Sequence, residues 1–179
     1  LITSSAASDV YKRQLHGIKV LDLGQGVAAP YCGLLLAQYG AEVIKVEPIN
    51  GDWARGLGAP KGDQTAYSIY YNLGKKGIAI DLKTKEGLDV ILKLASNSDV
   101  VLENFRPGVV DRLGIGFEDV RALNSKVLYA SVSGFGQTGP YSDRPGSDTV
   151  LQAFSGLVSL NQDKDDIPQK VGTIVVDVI

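Results

Sequence analysis

The stretch Lys19-Val-Leu-Asp-Leu-Gly-Gln-Gly-Val-Ala-Ala-Pro-Tyr-Cys-Gly33 has the pattern of an apolar strand, a glycine turn and the start of a helix. Gly24, Gly26 and Ala29 match the G-x-G-x-x-A motif of dinucleotide-binding folds. Glu47 follows at roughly the distance where such folds place a ribose-binding carboxylate. The motif alone is weak, so it predicts the strand-to-helix turn while the ligand needs further support.

Apolar strands and helical patterns continue to alternate along the chain. Five strands are predicted, each apolar enough to be covered on both faces. They span residues 19–23, 42–47, 77–81, 99–103 and 127–133. The helices predicted between them span residues 30–39, 85–95, 107–113 and 117–123. This order is typical of an α/β fold with an open, mainly parallel sheet and helices on both faces.

Composition excludes several classes of protein. With 44% hydrophobic and 21% charged residues among 179, the chain has a globular composition and enough length for one sizeable core. The formal net charge of -2, with basic residues spread along the chain, does not favour nucleic-acid binding. Cys32 is the only cysteine, so we expect no internal disulfide, no cysteine-based metal cluster and a reducing, cytoplasmic setting, and no metal is expected at the site. No apolar run reaches about 18 residues, so we expect no membrane span.

Both ends of the chain differ from the rest. Residues 1–14 are polar and lack periodicity, and part of them resembles a translated sequencing adaptor. We therefore expect a non-native or disordered leader. The apolar run at 171–179 has no terminating signal, so we expect residues 15–179 to be a fragment whose C-terminal part is missing.

Four loops that follow predicted strands could hold a phosphate-bearing ligand, because parallel sheets bind ligands at the carboxyl ends of their strands. The loops span residues 48–55, 72–77, 103–108 and 133–140. The first contains Arg55, the second two lysines between glycines, and the third Arg106 beside free helix amides. The fourth is rich in glycine. Each feature also has a purely structural reading, such as a surface turn, a helix cap at Asn104 or a tryptophan over the core.

Five segments, taken in order, resemble the class III CoA-transferase family, which includes formyl-CoA and carnitine CoA-transferases. They are Gly17–Leu23, Gly40–Pro48, Asn72–Lys83, Glu103–Gly108 and Ser131–Pro140. The resemblance covers residues 15–179 and implies the N-terminal part of a large Rossmann-like domain. Complete members of the family add a smaller domain and form an interlocked homodimer. The resemblance also implies acyl-CoA and a carboxylic acid acceptor as substrates, with no tightly bound cofactor.

The resemblance places the family's nucleophile at Asp177. A carboxylate can attack an acyl-CoA thioester to give a mixed anhydride and CoA thiolate, which then forms an aspartyl-CoA thioester with the enzyme. That thioester passes CoA to the acceptor carboxylate through a second anhydride. Without the resemblance, Asp177 would fit a helix cap at a strand end equally well.

The remaining site residues are also implied by the resemblance. Gln25 and Val27 lie where the family's first loop faces the active site, and Gln25 could donate a hydrogen bond to an acyl carbonyl. Lys75, Lys76 and Arg106 are expected to bind phosphates, and Asn104 and Phe105 to lie near the pantetheine or adenine. Arg55 and Asn72 complete the expected CoA site. A glycine-rich lid that excludes water from the anhydrides is expected at Gly134, Gly136 and Gly139.

Three alternatives remain open. Resembling α-methylacyl-CoA racemases use a Gly-His-Asp motif and an aspartate as acid and base, and the sequence Gly146-Ser147-Asp148 lacks that histidine, which favours the transferase. A dinucleotide-binding dehydrogenase would rest on the G-x-G-x-x-A motif. A non-catalytic CoA-binding remnant would rest on the truncated domain. We expect the isolated chain to be inactive and poorly stable, because a sheet edge and a dimer interface would be uncovered.

Overall fold

A computed structural model describes residues 14–178 of the chain. The expected leader therefore lies outside the described residues except for Gln14, and Ile179 lies outside them as well. The described chain divides after Val132 into two units.

Five short strands form a single sheet in the first unit. They are β1 (Lys19–Asp22), β2 (Glu42–Glu47), β3 (Lys76–Ala79), β4 (Val100–Glu103) and β5 (Leu128–Ser131). The strand order is β3-β2-β1-β4-β5, and every neighbouring pair is parallel. The open parallel sheet predicted from the sequence is confirmed. The strand order reverses between β1 and β4, which is the point where sheets of this kind bind ligands.

Helices cover both faces of this sheet, as predicted. They are α1 (Ala28–Gln38), α2 (Ala66–Tyr70), α3 (Lys85–Ser96), α4 (Val109–Leu113) and α5 (Phe117–Leu123). Leu21 of β1 belongs to a buried cluster with Ile91 of α3 and Val120 of α5. Its neighbour Val20 belongs to a second cluster, against which Leu36 of α1 packs. Because successive strand residues point to opposite faces, the two clusters lie on opposite sides of the sheet.

The structure differs from the sequence-based expectation in two respects. Four short elements were not predicted, namely the 3-10 helix Trp53–Gly56 and the helix α2 in the first unit, and one helix and one 3-10 helix in the second. Thr65 and Ser68 form a capping box that starts α2, although its residues show no clear apolar period. The expectation that every strand is covered on both faces was wrong for β3. All four residues of β3 are exposed, and β3 is one of the two edge strands of this sheet, with a neighbour on one side only.

The second unit consists of loops around α6 (Asp148–Phe154) and the 3-10 helix Leu157–Leu160. Phe135 of the glycine-rich loop packs edge-to-face against Phe154 of α6, and Tyr141 contacts both rings. These contacts fix the glycine-rich loop to α6. Across residues 14–178, no helix has both the length and the apolar character needed to traverse a bilayer.

Candidate active site

The loop after β1 is fastened to the loop after β4 at the point where the strand order reverses. The backbone N–H of Gln25 donates to Oδ1 of Asn104 at 2.7 Å, and Nδ2 of Asn104 donates to the carbonyl oxygen of Gln25 at 2.8 Å. One side-chain amide thus satisfies both backbone groups of Gln25. Asn104 fixes the position of the residue expected to contact the acyl group.

A buried ion pair holds the glycines on either side of Gln25. Lys45 of β2 donates to the carbonyl oxygen of Gly24 and pairs with Asp52 at 3.0 Å, and both charged side chains are only 1% exposed. The carboxylate of Asp52 accepts the N–H of Gly26 at 2.9 and 3.1 Å. A buried carboxylate with an ammonium and a backbone amide as partners has no unsatisfied charge. The pair therefore fixes the loop at two more points.

A second buried ion pair lies between β1 and the start of β3. Nζ of Lys75 lies 2.7 Å from Oδ2 of Asp22 and also donates to the carbonyl oxygen of Pro30, at 2.7 Å, and to Oδ1 of Asn72, at 3.3 Å. Both charged side chains are at most 1% exposed. Burial lowers the pKa of Lys75, and the carboxylate of Asp22 opposes that shift. A Cβ at Gly33 would lie 2.6 Å from the same carboxylate oxygen, so α1 can approach the pair only with glycine there.

These contacts decide the question raised by the G-x-G-x-x-A motif. A dinucleotide pyrophosphate would need free backbone amides in this turn. The amide of Gly24 instead donates to Asp22, that of Gln25 to Asn104 and that of Gly26 to Asp52. The motif correctly predicted the strand-to-helix turn. Its backbone amides, however, donate to side chains of the protein and are not free to bind a pyrophosphate.

Within the first unit, Gln25 is the residue of this loop whose side chain stays free. The side chain is partly exposed, and among the described residues of that unit it forms no hydrogen bond. Val27, by contrast, is 1% exposed. Trp53 lies over the turn from the outside, and a Cβ at Gly26, whose φ is +77°, would overlap its indole ring. The loop thus presents one amide side chain from a fixed backbone.

Lys75 and Lys76, both expected from the sequence to bind phosphates, lie in different surroundings. Lys75 is buried as described, whereas Lys76 begins β3, is exposed and lies 2.6 Å from Glu42. Neighbouring residues of an extended chain point in opposite directions, which separates the two ammonium groups. In this geometry Lys76, and not Lys75, has its charge at the surface.

Arg55 is engaged by the residue that ends β2. Its Nε and Nη2 donate to the two carboxylate oxygens of Glu47 at 2.8 and 2.9 Å. The hydrogen bond from Arg55 lowers the pKa of Glu47. Glu47 is therefore a strand-end residue with a structural partner, and its carboxylate is not free to bind a ribose.

The segment after β4 holds two further candidates in different surroundings. Phe105 packs against the main buried cluster, and its N–H donates to Oε2 of Glu103 at 2.7 Å. Burial raises the pKa of Glu103. Arg106 is exposed, and within residues 14–178 its guanidinium has no hydrogen bond or ion pair. Arg106 is thus the charged side chain of this loop that is free for a ligand.

In the second unit, Asp177 lies in the turn formed by residues 175–178. The N–H of Val178 donates to the carbonyl oxygen of Val175 at 3.1 Å, which closes the turn. Asp177 is half-buried, and among the described residues of its unit the carboxylate accepts no hydrogen bond. Burial raises the pKa of Asp177, and the negative charge of Asp148 raises it further. A carboxylate that is incompletely solvated is a better nucleophile than one in bulk water.

The helix α6 holds this turn through two side chains. Oδ1 of Asp148 accepts the N–H groups of Val175 and Val176 at 2.9 and 2.8 Å. Oδ2 of Asp148 accepts a hydrogen bond from the fully buried Gln152 at 2.7 Å, and Oε1 of Gln152 accepts the N–H of Val171 at 2.8 Å. Asp148, the last residue of the Gly146-Ser147-Asp148 segment, therefore supports the chain before Asp177.

The three expected lid glycines differ in their surroundings. A Cβ at Gly134 would lie 2.8 Å from the Cα of Gly146, so the glycine-rich loop touches its own return segment backbone to backbone. Gly136 and Gly139 have φ values of +80° and +95°, and a Cβ added at either would meet no atom of the described chain within 4 Å. The loop is thus anchored at Gly134 and open at the other two.

Five residues of these networks were not indicated by the sequence patterns, namely Asp22, Lys45, Asp52, Asp148 and Gln152. A signal existed for the first two, because a charged residue inside an apolar strand needs a buried partner. Asp148 and Gln152 stand four residues apart on α6, but that spacing does not point to residue 177.

Comparisons with known proteins agree with this architecture. A family model described as CoA-transferase family III matches residues 15–179. The chain is 41% identical over 175 residues to succinate–glutarate CoA-transferase from Agrobacterium fabrum, covering 93% of this chain and 44% of that protein. It is 39% identical over 167 residues to human succinyl-CoA:glutarate CoA-transferase, covering 92% and 38%.

A solved structure supports the same relationship. The crystal structure of a CAIB/BAIF family protein from Brucella suis matches with a TM-score of 0.87 and 37% identity, over 93% of this chain and 45% of that one. The chain thus spans less than half the length of these relatives. On the family match and these similarities, the chain belongs to CoA-transferase family III.

Proposed function

We propose that this chain supplies the nucleophile and part of the CoA site of an enzyme that transfers CoA from an acyl-CoA to an acceptor carboxylate. Membership of CoA-transferase family III carries the proposal, since the relatives are named for CoA transfer between carboxylic acids. The half-buried carboxylate of Asp177 supports it as the nucleophile.

The reaction proceeds through two kinds of acyl intermediate on Asp177. A carboxylate oxygen attacks the thioester carbonyl, the C–S bond breaks, and CoA leaves as the thiolate, giving a mixed anhydride. The thiolate then attacks the aspartyl carbonyl, which releases the donor acid and forms an aspartyl-CoA thioester. The acceptor carboxylate attacks this thioester, the C–S bond breaks, and a second anhydride and CoA thiolate form; the thiolate then attacks the acceptor's acyl carbon and releases the carboxylate of Asp177. Asp177 ends as a free carboxylate.

Gln25 is proposed to donate a hydrogen bond to the acyl carbonyl oxygen. Its fixed backbone and free side chain support this role, because a donor that is held in advance loses little freedom on binding. The glycine-rich loop with Gly134, Gly136 and Gly139 is proposed as the lid that keeps water from the anhydrides.

For the CoA phosphates we propose Arg106 and Lys76, whose charges lie at the surface. Lys75, Asn72 and Asn104 are proposed to position loops, because their polar atoms already bond within the protein. Phe105 and Arg55 are proposed to act through packing and the ion pair with Glu47. A homodimeric assembly and a cytoplasmic location complete the proposal.

Trapping of the aspartyl intermediates tests this function. The full-length protein is incubated with succinyl-CoA and hydroxylamine, digested, and mapped by mass spectrometry. We expect a hydroxamate at Asp177, which Asp177→Asn abolishes and Asp143→Asn, a change at an exposed carboxylate, leaves intact. Binding of CoA without any modification of Asp177 would overturn the proposed mechanism. Exchange of the α-proton without CoA transfer would favour a racemase instead.

A further inference from the structure

We infer that Asp148 and Gln152 are positioning residues for Asp177, which they hold by fixing the turn that carries it. The inference rests on the proposed role of Asp177 as the nucleophile. It concerns contacts within the second unit alone, one within α6 and the others between α6 and the segment from Val171 to Val176.

Asp148 fixes the backbone immediately before the nucleophile. One of its oxygens accepts hydrogen bonds from two consecutive amides, those of Val175 and Val176, at 2.9 and 2.8 Å. Hydrogen bonds that backbone amides donate to a carboxylate are charge-assisted and stronger than those between neutral groups. Two such bonds to adjacent residues restrict the orientation of both peptide planes. The direction in which the next side chain leaves the backbone is thereby restricted as well.

Gln152 fixes Asp148 in turn and ties down the other end of the segment. It lies one helical turn after Asp148, is 0% exposed, and donates to the second carboxylate oxygen at 2.7 Å. Its Nε2 also reaches the carbonyl oxygen of Thr173 at 3.3 Å, and its Oε1 accepts the N–H of Val171 at 2.8 Å. All of its polar atoms are therefore used, as burial requires. The segment is fastened near both ends to the same helix.

The charge of Asp148 has a consequence for the chemistry beyond geometry. Within the second unit it is the charged group that acts on Asp177, adding to burial in raising the pKa of that carboxyl. Acylation of Asp177 removes its negative charge, so the repulsion between the two carboxylates ends when the anhydride forms. Asp148 therefore acts on Asp177 through its charge as well as through the turn that it holds.

The test compares four forms of the full-length enzyme in the succinyl-CoA and hydroxylamine assay. Asp148→Ala removes the acceptor of two amides, and we expect trapping at Asp177 to slow by about 100-fold while CoA binding is retained, because misplacement of a reacting group by about 1 Å has that effect. Asp148→Asn keeps an oxygen acceptor for both amides, so it should lose about tenfold at most. Asp143→Asn, the matched control for charge, should react as the unmodified enzyme does.

The pH dependence of trapping gives a second readout. The ionised carboxylate is the reactive form, so trapping is lost as the pH falls through the pKa of Asp177. Asp148→Asn removes the neighbouring negative charge and so lowers the pKa of Asp177. The acidic limb of the pH profile, where trapping is lost, should therefore move to lower pH. Asp143→Asn should leave the limb in place.

The outcomes separate the inference from the proposed function. If the unmodified enzyme binds CoA but is not trapped at Asp177, the proposed function fails, and the inference fails with it. If the enzyme is trapped and Asp148→Ala is trapped at the same rate, the inference alone is overturned. If Asp148→Ala does not fold, a fifth form, Gln152→Leu, decides, because it removes the donor to Asp148 and the acceptor of the Val171 amide, and trapping at the rate of the unmodified enzyme overturns the inference.

Discussion

The two segments that carry Gln25 and Asp177 are held by different means. The backbone of Gly24, Gln25 and Gly26 is bound by side chains from four separate parts of the chain, among them Asn104, which lies 79 positions from Gln25. Among the described residues of the second unit, the side chains that hold the segment before Asp177 come from α6 alone. The position of Gln25 therefore depends on the whole sheet, whereas that of Asp177 depends on a local contact.

The largest loss of stability is expected at the buried ion pair that holds the loop of Gln25. Asp52→Ala leaves the ammonium of Lys45 buried without its carboxylate and two backbone amides without an acceptor. Removing one partner of a buried ion pair typically costs about 3–5 kcal/mol of unfolding free energy. Urea denaturation measures this cost, with Asp63→Ala as the control, since the side chain of Asp63 is 86% exposed. Equal unfolding midpoints for both variants would contradict the comparison.

A smaller loss of stability is expected when Asn104, which forms hydrogen bonds with the backbone of Gln25, is replaced. Asn104→Ala removes two hydrogen bonds and leaves both backbone groups of Gln25 without partners. We expect a loss of about 2 kcal/mol, together with faster hydrogen exchange at the amide of Gln25. Asn50→Ala serves as the control, because that side chain is exposed and unbonded within the described chain. Unchanged exchange at Gln25 would show that Asn104 does not hold the loop.

In the second unit, replacing Gln152 should change hydrogen exchange only near the replaced side chain. Gln152→Leu keeps the side-chain volume but leaves the amide of Val171 without its acceptor. We expect exchange at Val171 to accelerate by about tenfold, because a lost buried hydrogen bond is worth about 1 kcal/mol or more. Exchange at Gln25 should not change. Faster hydrogen exchange at both amides would mean that the segments carrying Gln25 and Asp177 are coupled, which would contradict the comparison.

The smallest effect concerns the ion pair at the end of β2. The hydrogen bond from Arg55 depresses the pKa of Glu47 below its ordinary value of 4.5. Its contribution is therefore present above that value and is lost as the pH falls through the lower, folded-state pKa. Since the pair is partly exposed, the contribution should stay below about 1 kcal/mol. Denaturation between pH 6 and pH 3 should show a smaller acid destabilisation for Glu47→Gln than for the unmodified protein.

The sequence predicted the sheet well because buried parallel strands need continuous apolar runs, and five such runs are present. It could not identify β3 as an exposed edge strand, since strand order is set by pairing between distant segments. The turn at Gly24 to Gly26 was predicted correctly because the glycine pattern that permits it lies within a few neighbouring residues. Ligand roles were harder to predict.

The lysine pair shows why the candidate site was less predictable. Lys75 and Lys76 are adjacent and chemically identical, so no local pattern separates them. Their different surroundings come from Asp22, which lies 53 positions before Lys75, and from Glu42, which lies 34 positions before Lys76. Asn104 likewise had a plausible local role as a helix cap, and its observed partner is Gln25. Such long-range contacts are properties of the fold as a whole.

Because Trp53 contacts Gly26, its fluorescence reports on the loop that carries Gln25. Trp53 is the sole tryptophan of the chain, and its indole lies directly over the turn that carries Gln25. Tryptophan emission responds to the polarity around the ring, and Trp53 is 56% exposed, so it lies at the boundary between solvent and protein. Movement of the first loop, or a ligand settling against it, therefore changes the fluorescence of a single residue without any added label.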